Sequence, residues 1–138
     1  SEKVQEQYGL KPLARILSSA AAGIEPRIMG AGPIEAIKKA VKRAGSTLDD
    51  MDIIEINEAF ASQVLSCLKG LDVTFDDSRV NPNGGGIAIG HPLGCSGARL
   101  ALTVARQLQR TGKKYAVISL CIGLGQGLAM VIENPEAA

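Results

Sequence analysis

The apolar residues of the chain follow two spacings, one typical of strands and one typical of helices. Short, nearly continuous apolar runs at residues 13–19, 51–56, 115–121 and 127–133 are typical of buried strands. The longer segments between these runs place an apolar residue every three or four positions, as one face of a helix does. The pattern therefore predicts strands that alternate with amphipathic helices over the 138 residues.

Three helices are predicted from the second spacing. The first begins at Pro33, because proline suits the first turn of a helix, and it ends at Gly45. The second follows Asn57, and the third covers residues 96–110. Their inward positions are predicted to be Ile34, Ile37, Val41 and Ala44 in the first helix, Phe60, Val64, Cys67 and Leu68 in the second, and Ala98, Ala101, Leu102, Ala105 and Leu108 in the third.

The order of these elements predicts an α/β fold. A further short strand is placed at Val80, which gives the order β-α-β-α-β-α-β-β. Strands joined through helices run parallel, whereas the glycine-rich turn after Cys121 joins the last two strands as an antiparallel hairpin. We therefore expect one domain, residues 1–138, with a mixed, mostly parallel five-stranded sheet and helices packed on it.

The composition of the chain argues against several classes of function and says little more about its fold. The net charge is +1 and the aromatic residues are two tyrosines and two phenylalanines, so no surface for nucleic acid is indicated. No apolar run approaches the roughly 20 residues that span a bilayer, and no signal peptide is recognised. The three cysteines are far apart and form no C-x-x-C motif. This argues against a zinc site or a disulfide framework and indicates a reducing compartment, with the cytoplasm as the expected location.

Three polar or reactive residues follow predicted strands. Asn57 comes directly after the 51–56 run, Cys121 ends the 115–121 run, and His91, the only histidine, follows Val80. Ligands of open α/β sheets bind beyond the carboxyl ends of the strands. We therefore expect the three side chains to converge at one edge of the sheet and to form a catalytic site.

Each candidate also has a purely structural interpretation. Asn57 is a favoured N-cap residue for the helix that follows it, and the ring of His91 can simply bond to backbone in its loop. Cys121 ends an apolar strand, where burial leaves a thiol inert, although N–H groups of the following glycine turn would lower its pKa. The remaining cysteines, Cys67 and Cys95, are expected to be small core residues.

The glycine-rich segments match none of the common nucleotide or hydrolase motifs. They do not fit G-x-G-x-x-G followed by an acidic residue, the P-loop pattern, or G-x-S-x-G. They do place His91 directly before Pro92, at the start of a predicted helix. The free N–H groups of such a helix start stabilise negative charge, which suits a catalytic imidazole.

Three segments together resemble the thiolases, that is, the acetyl-CoA acetyltransferases and 3-ketoacyl-CoA thiolases. They are NEAFA at residues 57–61, GGIAIGHPLGCSGAR at 85–99 and CIGLGQG at 121–127, and MGAGP at 29–33 also resembles the family. The resemblance covers nearly the whole chain and corresponds to the C-terminal half of a thiolase. It implies that the N-terminal half and the loop domain that covers CoA lie outside residues 1–138. Leu124 stands where the family often has glycine, as in its degradative 3-ketoacyl-CoA branch.

The resemblance implies catalytic roles for four residues in acyl transfer with Claisen condensation or its reverse. The family's acyl-accepting cysteine lies in the N-terminal half, so Cys121 corresponds to the second catalytic cysteine, which acts as acid and base. His91 would activate the accepting cysteine and donate to a thioester oxygen, and Asn57 would hold a water that donates to the same oxygen. The N–H of Gly123 would belong to a second oxyanion hole.

The resemblance also implies the substrate and the partners. Met29 and Phe60 would line the acyl pocket, a CoA thioester would be the substrate, and no metal or other cofactor is implied. The partners would be the N-terminal half and, in a full-length enzyme, further copies that form a homodimer or homotetramer. The chain alone is expected to be inactive. The alternative is a non-catalytic thiolase-like domain that pairs with a partner chain.

Overall fold

A computed structural model describes residues 1–137 of the chain. Helices and strands alternate along most of it, and two short 3-10 turns, Pro26–Ala31 and Leu48–Asp50, join them. In chain order the elements are α1 (Glu2–Tyr8), β1 (Arg15–Gly23), α2 (Gly32–Arg43), β2 (Ile53–Ile56), α3 (Ala61–Gly70), α4 (Gly86–Ile89), α5 (Leu93–Thr111), β3 (Tyr115–Ile122) and β4 (Gln126–Glu133).

The four strands form one mixed sheet in the order β1-β4-β3-β2. β4 is antiparallel to both of its neighbours, and β2 is parallel to β3. Three of the four strands therefore run in one direction, and the predicted α/β fold with an antiparallel hairpin at its end is confirmed.

The sheet has four strands rather than five because the segment at Val80 pairs at a single position. Val80 makes an isolated parallel bridge to Ile54. Asn81 then adopts a φ of 42°, in the left-handed region, and turns the backbone away from β2. Its side chain continues the pairing instead, since its Oδ1 accepts from the N–H of Ile56 and its Nδ2 donates to the carbonyl of the same residue. A side chain thus replaces the backbone ladder of the expected fifth strand.

The sheet separates two apolar layers. Neighbouring residues of β2 and β3 point to opposite faces, as strand geometry requires. One face packs against α2 and α3, and the other packs against α5. The buried residues at the centre of the first layer include Ile37, Ile54, Cys67, Leu68 and Val117, and those of the second include Ile53, Val104, Leu108, Ala116 and Ile118.

The buried face of α5 differs from the predicted one. Leu100, Val104 and Leu108 are fully buried, whereas Leu102 is 53% exposed and Ala98 is also exposed. Residues four apart lie above one another on a helix face. The buried residues of α5 therefore lie every four positions, at 100, 104 and 108. Of the predicted inward positions, Ala105 and Leu108 are buried, whereas Ala98 and Leu102 are not.

Helix α3 begins later than predicted. Its first residue is Ala61, and Phe60, which precedes it, is 65% exposed. Val64, Cys67 and Leu68 are buried as predicted. Phe60 therefore does not belong to the core face of this helix and is free to contact something else.

Two glycines allow α2 to start directly against β4. A Cβ at Gly32 would collide with the backbone of Gln126, and a Cβ at Gly127 would collide with the carbonyl group of Gly32. This close approach places the Pro26–Ala31 turn, which precedes α2, beside the end of the sheet. Within residues 1–137, no helix combines the length and the apolar character needed to cross a membrane.

Candidate active site

The carboxyl ends of β2 and β3 lie side by side, and Asn57 and Cys121 belong to these ends. Ile56 pairs with Ser119 across the two parallel strands, and the N–H of Asn57 donates to the carbonyl of Ser119 over 2.9 Å. Asn57 is thus about level with the residue before Cys121, one strand spacing of about 4.8 Å away. The common edge expected from the sequence is present.

Asn57 contacts His91 directly. The Asn57 side chain is 1% exposed, and its Nδ2 lies 3.3 Å from Nε2 of His91. The interpretation of Asn57 as a helix cap is wrong, because α3 begins at Ala61 with Phe60 at its N-cap position. Oδ1 of Asn57 is buried and has no hydrogen-bond partner among residues 1–137. The NH₂ group of Asn57 therefore contacts His91, and its oxygen can accept a hydrogen bond from a bound molecule.

Ser96 fixes the other side of the imidazole. Nδ1 of His91 lies 2.6 Å from Oγ of Ser96, and that hydroxyl also donates to the carbonyl of Pro92 over 3.2 Å. A serine hydroxyl has one proton. If Pro92 receives it, Oγ accepts from Nδ1–H, and Nε2 carries the lone pair that accepts from Asn57. The neutral Nδ1–H tautomer satisfies all these contacts, so His91 is not a loop histidine bonded to backbone.

Replacing Ser96 with alanine is expected to change the tautomer of His91. Long-range 1H–15N NMR reports this cleanly, because His91 is the only histidine. The wild type is expected to show Nδ1–H at a pH where the ring is neutral, and Ser96→Ala is expected to populate Nε2–H at more than about one tenth, since a single lost neutral hydrogen bond is worth roughly 1 kcal/mol. Ser66→Ala is the matched control, because Ser66 donates to the carbonyl of Ser62 with the same spacing of four. An unchanged tautomer in Ser96→Ala would show that Ser96 does not set it.

Cys121 lies on the other side of the same edge. Cys121 lies four residues after Val117 on β3, so both side chains point to the face of the sheet that packs against α2 and α3. Its half-buried side chain lines a cavity of about 620 Å³ together with Met29, Phe60 and Gln63. The two residues predicted to line an acyl pocket therefore line the same cavity as Cys121. Within residues 1–137, no hydrogen bond joins Cys121 to Asn57 or His91.

Burial raises the pKa of the Cys121 thiol, and a contact with its own backbone N–H only partly offsets this. The expectation that the glycine turn would lower this pKa is wrong, because loss of hydration outweighs the turn amides. At neutral pH the group is therefore a protonated thiol. That state suits a proton donor better than a nucleophile.

Gly123 lies in the exposed turn between β3 and β4. Its carbonyl accepts from Nε2 of Gln126 over 3.0 Å. The next residues, Leu124 and Gly125, have φ values of 64° and 81°, so the turn uses the left-handed region twice. The carbonyl of Gly125 accepts from the N–H of Ile24, which anchors the turn to the end of β1. A role for the Gly123 N–H at the site stays a prediction.

Sequence comparison places this arrangement in a known family. A family model described as "Thiolase, C-terminal domain" matches residues 10–134. The chain belongs to the thiolase family. The resemblance noted from the motifs at residues 57–61, 85–99 and 121–127 is thereby confirmed.

Curated relatives and solved structures agree with this assignment. The chain is 58% identical over 134 residues to the beta-ketoadipyl-CoA thiolase of Acinetobacter baylyi and covers 33% of that protein. It is 53% identical over 137 residues to the 3-ketoacyl-CoA thiolase of Aliivibrio salmonicida. It also matches human mitochondrial 3-ketoacyl-CoA thiolase in complex with CoA, with a TM-score of 0.94 and 49% identity over 97% of this chain and 34% of that chain. This thiolase domain therefore spans about a third of the length of the relatives it matches.

One ion pair in the thiolase domain, Glu55 with Arg99, was not singled out from the sequence. Glu55 is 1% exposed and accepts from Nη1 of Arg99 over 3.1 Å, which links β2 to α5. The only signal for it is an acidic residue between Ile54 and Ile56, deep in the apolar 51–56 run, whereas the other acidic residue, Asp52, lies near its start. Cys67 is buried as expected, and its thiol donates to the carbonyl of Gly30. Cys95 is exposed, contrary to expectation, because it lies in the first turn of α5 on the side away from the sheet.

Proposed function

We propose that this chain is the C-terminal catalytic domain of a thiolase that makes or breaks the carbon–carbon bond of a 3-ketoacyl-CoA. The observation that carries the proposal is the hydrogen-bonded set of Asn57, His91 and Ser96 at the sheet edge that also bears Cys121. The names of the relatives and the CoA bound to the human neighbour support a CoA thioester as the substrate. Neither a metal nor a redox cofactor enters any step.

In the proposed reaction the accepting cysteine belongs to the N-terminal part of the enzyme. His91 removes its proton with the lone pair of Nε2, which exchanges its contact with Asn57 for the cysteine proton, and the resulting thiolate attacks the 3-keto carbon. The bond between C2 and C3 then breaks, and its electron pair forms the enolate of acetyl-CoA. Cys121 gives its proton to that enolate. A second CoA thiol then gives its proton to Cys121 and takes the acyl group. The accepting cysteine leaves as a thiolate and recovers its proton from His91.

The unpartnered oxygen of Asn57 supports a water in the oxyanion hole. Oδ1 of Asn57 is a buried acceptor without a partner among residues 1–137, and a buried acceptor of this kind is usually satisfied by a bound water. Such a water has a second proton to donate to the thioester oxygen, beside the protonated imidazole of His91. The N–H of Gly123 serves the tetrahedral intermediate. A lost donor of this type costs about 10²–10³-fold in rate.

The partner in the proposal is the N-terminal part of a thiolase. Apolar side chains that line the cavity support it, since Ile28 and Phe60 are each more than half exposed. Exposed apolar groups that lie together mark contact surfaces. The complete enzyme is proposed to assemble as a homodimer or homotetramer. Three free thiols fit a reducing compartment such as the cytoplasm.

The chain alone is expected to show no thiolase turnover, and joining it to the N-terminal part of a thiolase is expected to produce turnover. The enolate absorbance of acetoacetyl-CoA, followed in the presence of CoA, measures the chain alone. The joined enzyme is a hybrid in which the chain replaces the matching third of the Acinetobacter baylyi thiolase, to which it is 58% identical. The hybrid enzyme is assayed with beta-ketoadipyl-CoA as its substrate.

Two outcomes would contradict this proposal. Robust decay of acetoacetyl-CoA with the chain alone would mean that an accepting cysteine from another part is not needed. A hybrid that folds and binds CoA but cleaves no substrate would instead favour the non-catalytic binding domain. The native Acinetobacter baylyi enzyme, assayed beside the hybrid, is the positive control.

A further inference from the structure

We propose that Glu58 is a positioning residue that fixes the segment carrying His91 to the end of β2, so that Asn57 and His91 meet. The positional part of this proposal concerns the chain itself, and only its effect on turnover rests on the proposed function. Glu58 directly follows Asn57, yet its carboxylate points to the glycine-rich segment rather than to the imidazole. It touches no group that would react.

The two carboxylate oxygens of Glu58 join three pieces of chain. Oε1 accepts from Nδ2 of Asn81 over 3.0 Å, and Oε2 accepts from the N–H of Ile87 in the first turn of α4 over 3.1 Å. Asn81 in turn bonds to both the N–H and the carbonyl of Ile56, at 2.8 and 3.0 Å. One side chain therefore ties the last residue of β2, the turn at Asn81 and the helix that leads to His91.

Two glycines pack directly against Glu58 and make this connection tight. A Cβ at Gly85 would lie 2.7 Å from the carboxyl carbon of Glu58, and a Cβ at Gly86 would lie 2.9 Å from its backbone carbonyl oxygen. The second of these would also lie 3.7 Å from Cβ of His91. Gly85 has an extended backbone that any residue can adopt, so its conformation does not require glycine. The glycine pair is instead needed because a side chain there would prevent the close approach of the histidine segment to Glu58.

The chemistry at this position requires a carboxylate. Both partners of Glu58 are N–H donors, so both of its terminal atoms must accept. A glutamine at the same position would present an NH₂ group to one of them and leave one donor facing another. Loss of that acceptor would release either Asn81 or the first turn of α4 from Glu58. His91 would then no longer be held against Asn57.

The test is Glu58→Gln in the chain, with Glu35→Gln on α2 as the matched control, because Glu35 is exposed and its one salt bridge within residues 1–137 is to Lys38. Amide hydrogen exchange at Ile87 is expected to become at least tenfold faster, and the 15N signals of His91, the only histidine, are expected to shift. In the hybrid enzyme, kcat is expected to fall about 10- to 10²-fold with KM within about twofold, since small misplacement of a catalytic group has effects of this size.

Unchanged exchange at Ile87 and unchanged His91 signals in Glu58→Gln would overturn the proposal, whatever the activity. If the unsubstituted hybrid shows no turnover, the proposed function fails, and the exchange and NMR measurements still decide the role of Glu58. Should Glu58→Gln not fold, Gly85→Ala replaces it, because its methyl group would press on the Glu58 carboxyl group. The same shift of the His91 signals is expected there, and its absence would equally overturn the proposal.

Discussion

Replacing Cys121 with alanine in the hybrid enzyme will abolish cleavage of the carbon–carbon bond while sparing acyl transfer onto the accepting cysteine. The reason is that Cys121 is the one proton donor proposed for the enolate, and its thiol lines the cavity with Met29 and Phe60. General acid and base catalysis contributes about 10²–10⁴-fold. The rate of cleavage is therefore expected to fall by at least about 10²–10⁴-fold.

Two assays separate the half-reactions. Thiolysis of beta-ketoadipyl-CoA measures bond cleavage, and formation of the acylated enzyme from a simple acyl-CoA, followed by intact-protein mass spectrometry, measures transfer. Cys95→Ala is the matched control, because Cys95 is exposed and is expected to leave both unchanged. Loss of both half-reactions in Cys121→Ala would contradict the roles assigned to the two cysteines.

The proposed role of Cys121 also predicts how the rates of cleavage and of condensation depend on pH. Burial raises the pKa of Cys121 above its ordinary value. In the proposed mechanism, cleavage uses the protonated thiol, so Cys121 is expected to keep supporting cleavage until the pH exceeds the raised pKa. The proposed condensation uses the thiolate to remove a proton from acetyl-CoA, so its rate is expected to rise with pH toward that same pKa. Equal pH profiles in both directions would argue against Cys121 as the shared acid and base.

The order of strands and helices could be predicted because burial on both faces of a sheet leaves a strong signal. The runs at 51–56 and 115–121 contain few polar residues, and the structure places β2 and β3 there. Element ends were less predictable, since they depend on contacts with distant residues. Asn81, far along the chain from Ile56, completes the edge of β2, and α4 is only four residues long, too short to show a period.

The residues of the candidate site could be proposed from the sequence, but the contacts that organise it could not. The rule that ligands bind beyond strand ends leads to Asn57, His91 and Cys121 because each follows an apolar run or a glycine-rich loop. Ser96 and Glu58 look like an ordinary helix serine and an ordinary acidic residue. Their importance comes from hydrogen bonds to His91 and Ile87, and only the folded chain brings those partners within reach.

Arg99→Leu is expected to produce the largest loss of stability of any change considered for this chain. Arg99 is the only charged partner of Glu55 among residues 1–137, with Nη1 and Oε1 3.1 Å apart. The second oxygen of Glu55 is buried without a partner in the same part of the chain. Removing the arginine leaves an uncompensated buried carboxylate, which costs roughly 3–5 kcal/mol. Denaturant unfolding, monitored by circular dichroism, measures the loss.

The pH dependence of that loss identifies its cause. Burial is the main reason that the pKa of Glu55 is raised in the folded chain, and Arg99 opposes it. A group whose folded pKa is raised favours the folded state at low pH, and that contribution is lost as the pH rises through the folded pKa. Without Arg99 the folded pKa rises further. The destabilisation by Arg99→Leu is therefore expected to be greater at pH 7 than near pH 4.

A second substitution distinguishes the buried charge from a loss of packing. Leucine at both positions removes the charge as well as its partner, and well-packed apolar replacements of buried ion pairs are often neutral or stabilising. The double variant Glu55→Leu with Arg99→Leu is therefore expected to recover most of the stability that Arg99→Leu loses. If the double variant is as unstable as Arg99→Leu alone, the guanidinium stabilises the domain through the contacts of its side chain with α5 and the sheet, and the electrostatic account of this pair is wrong.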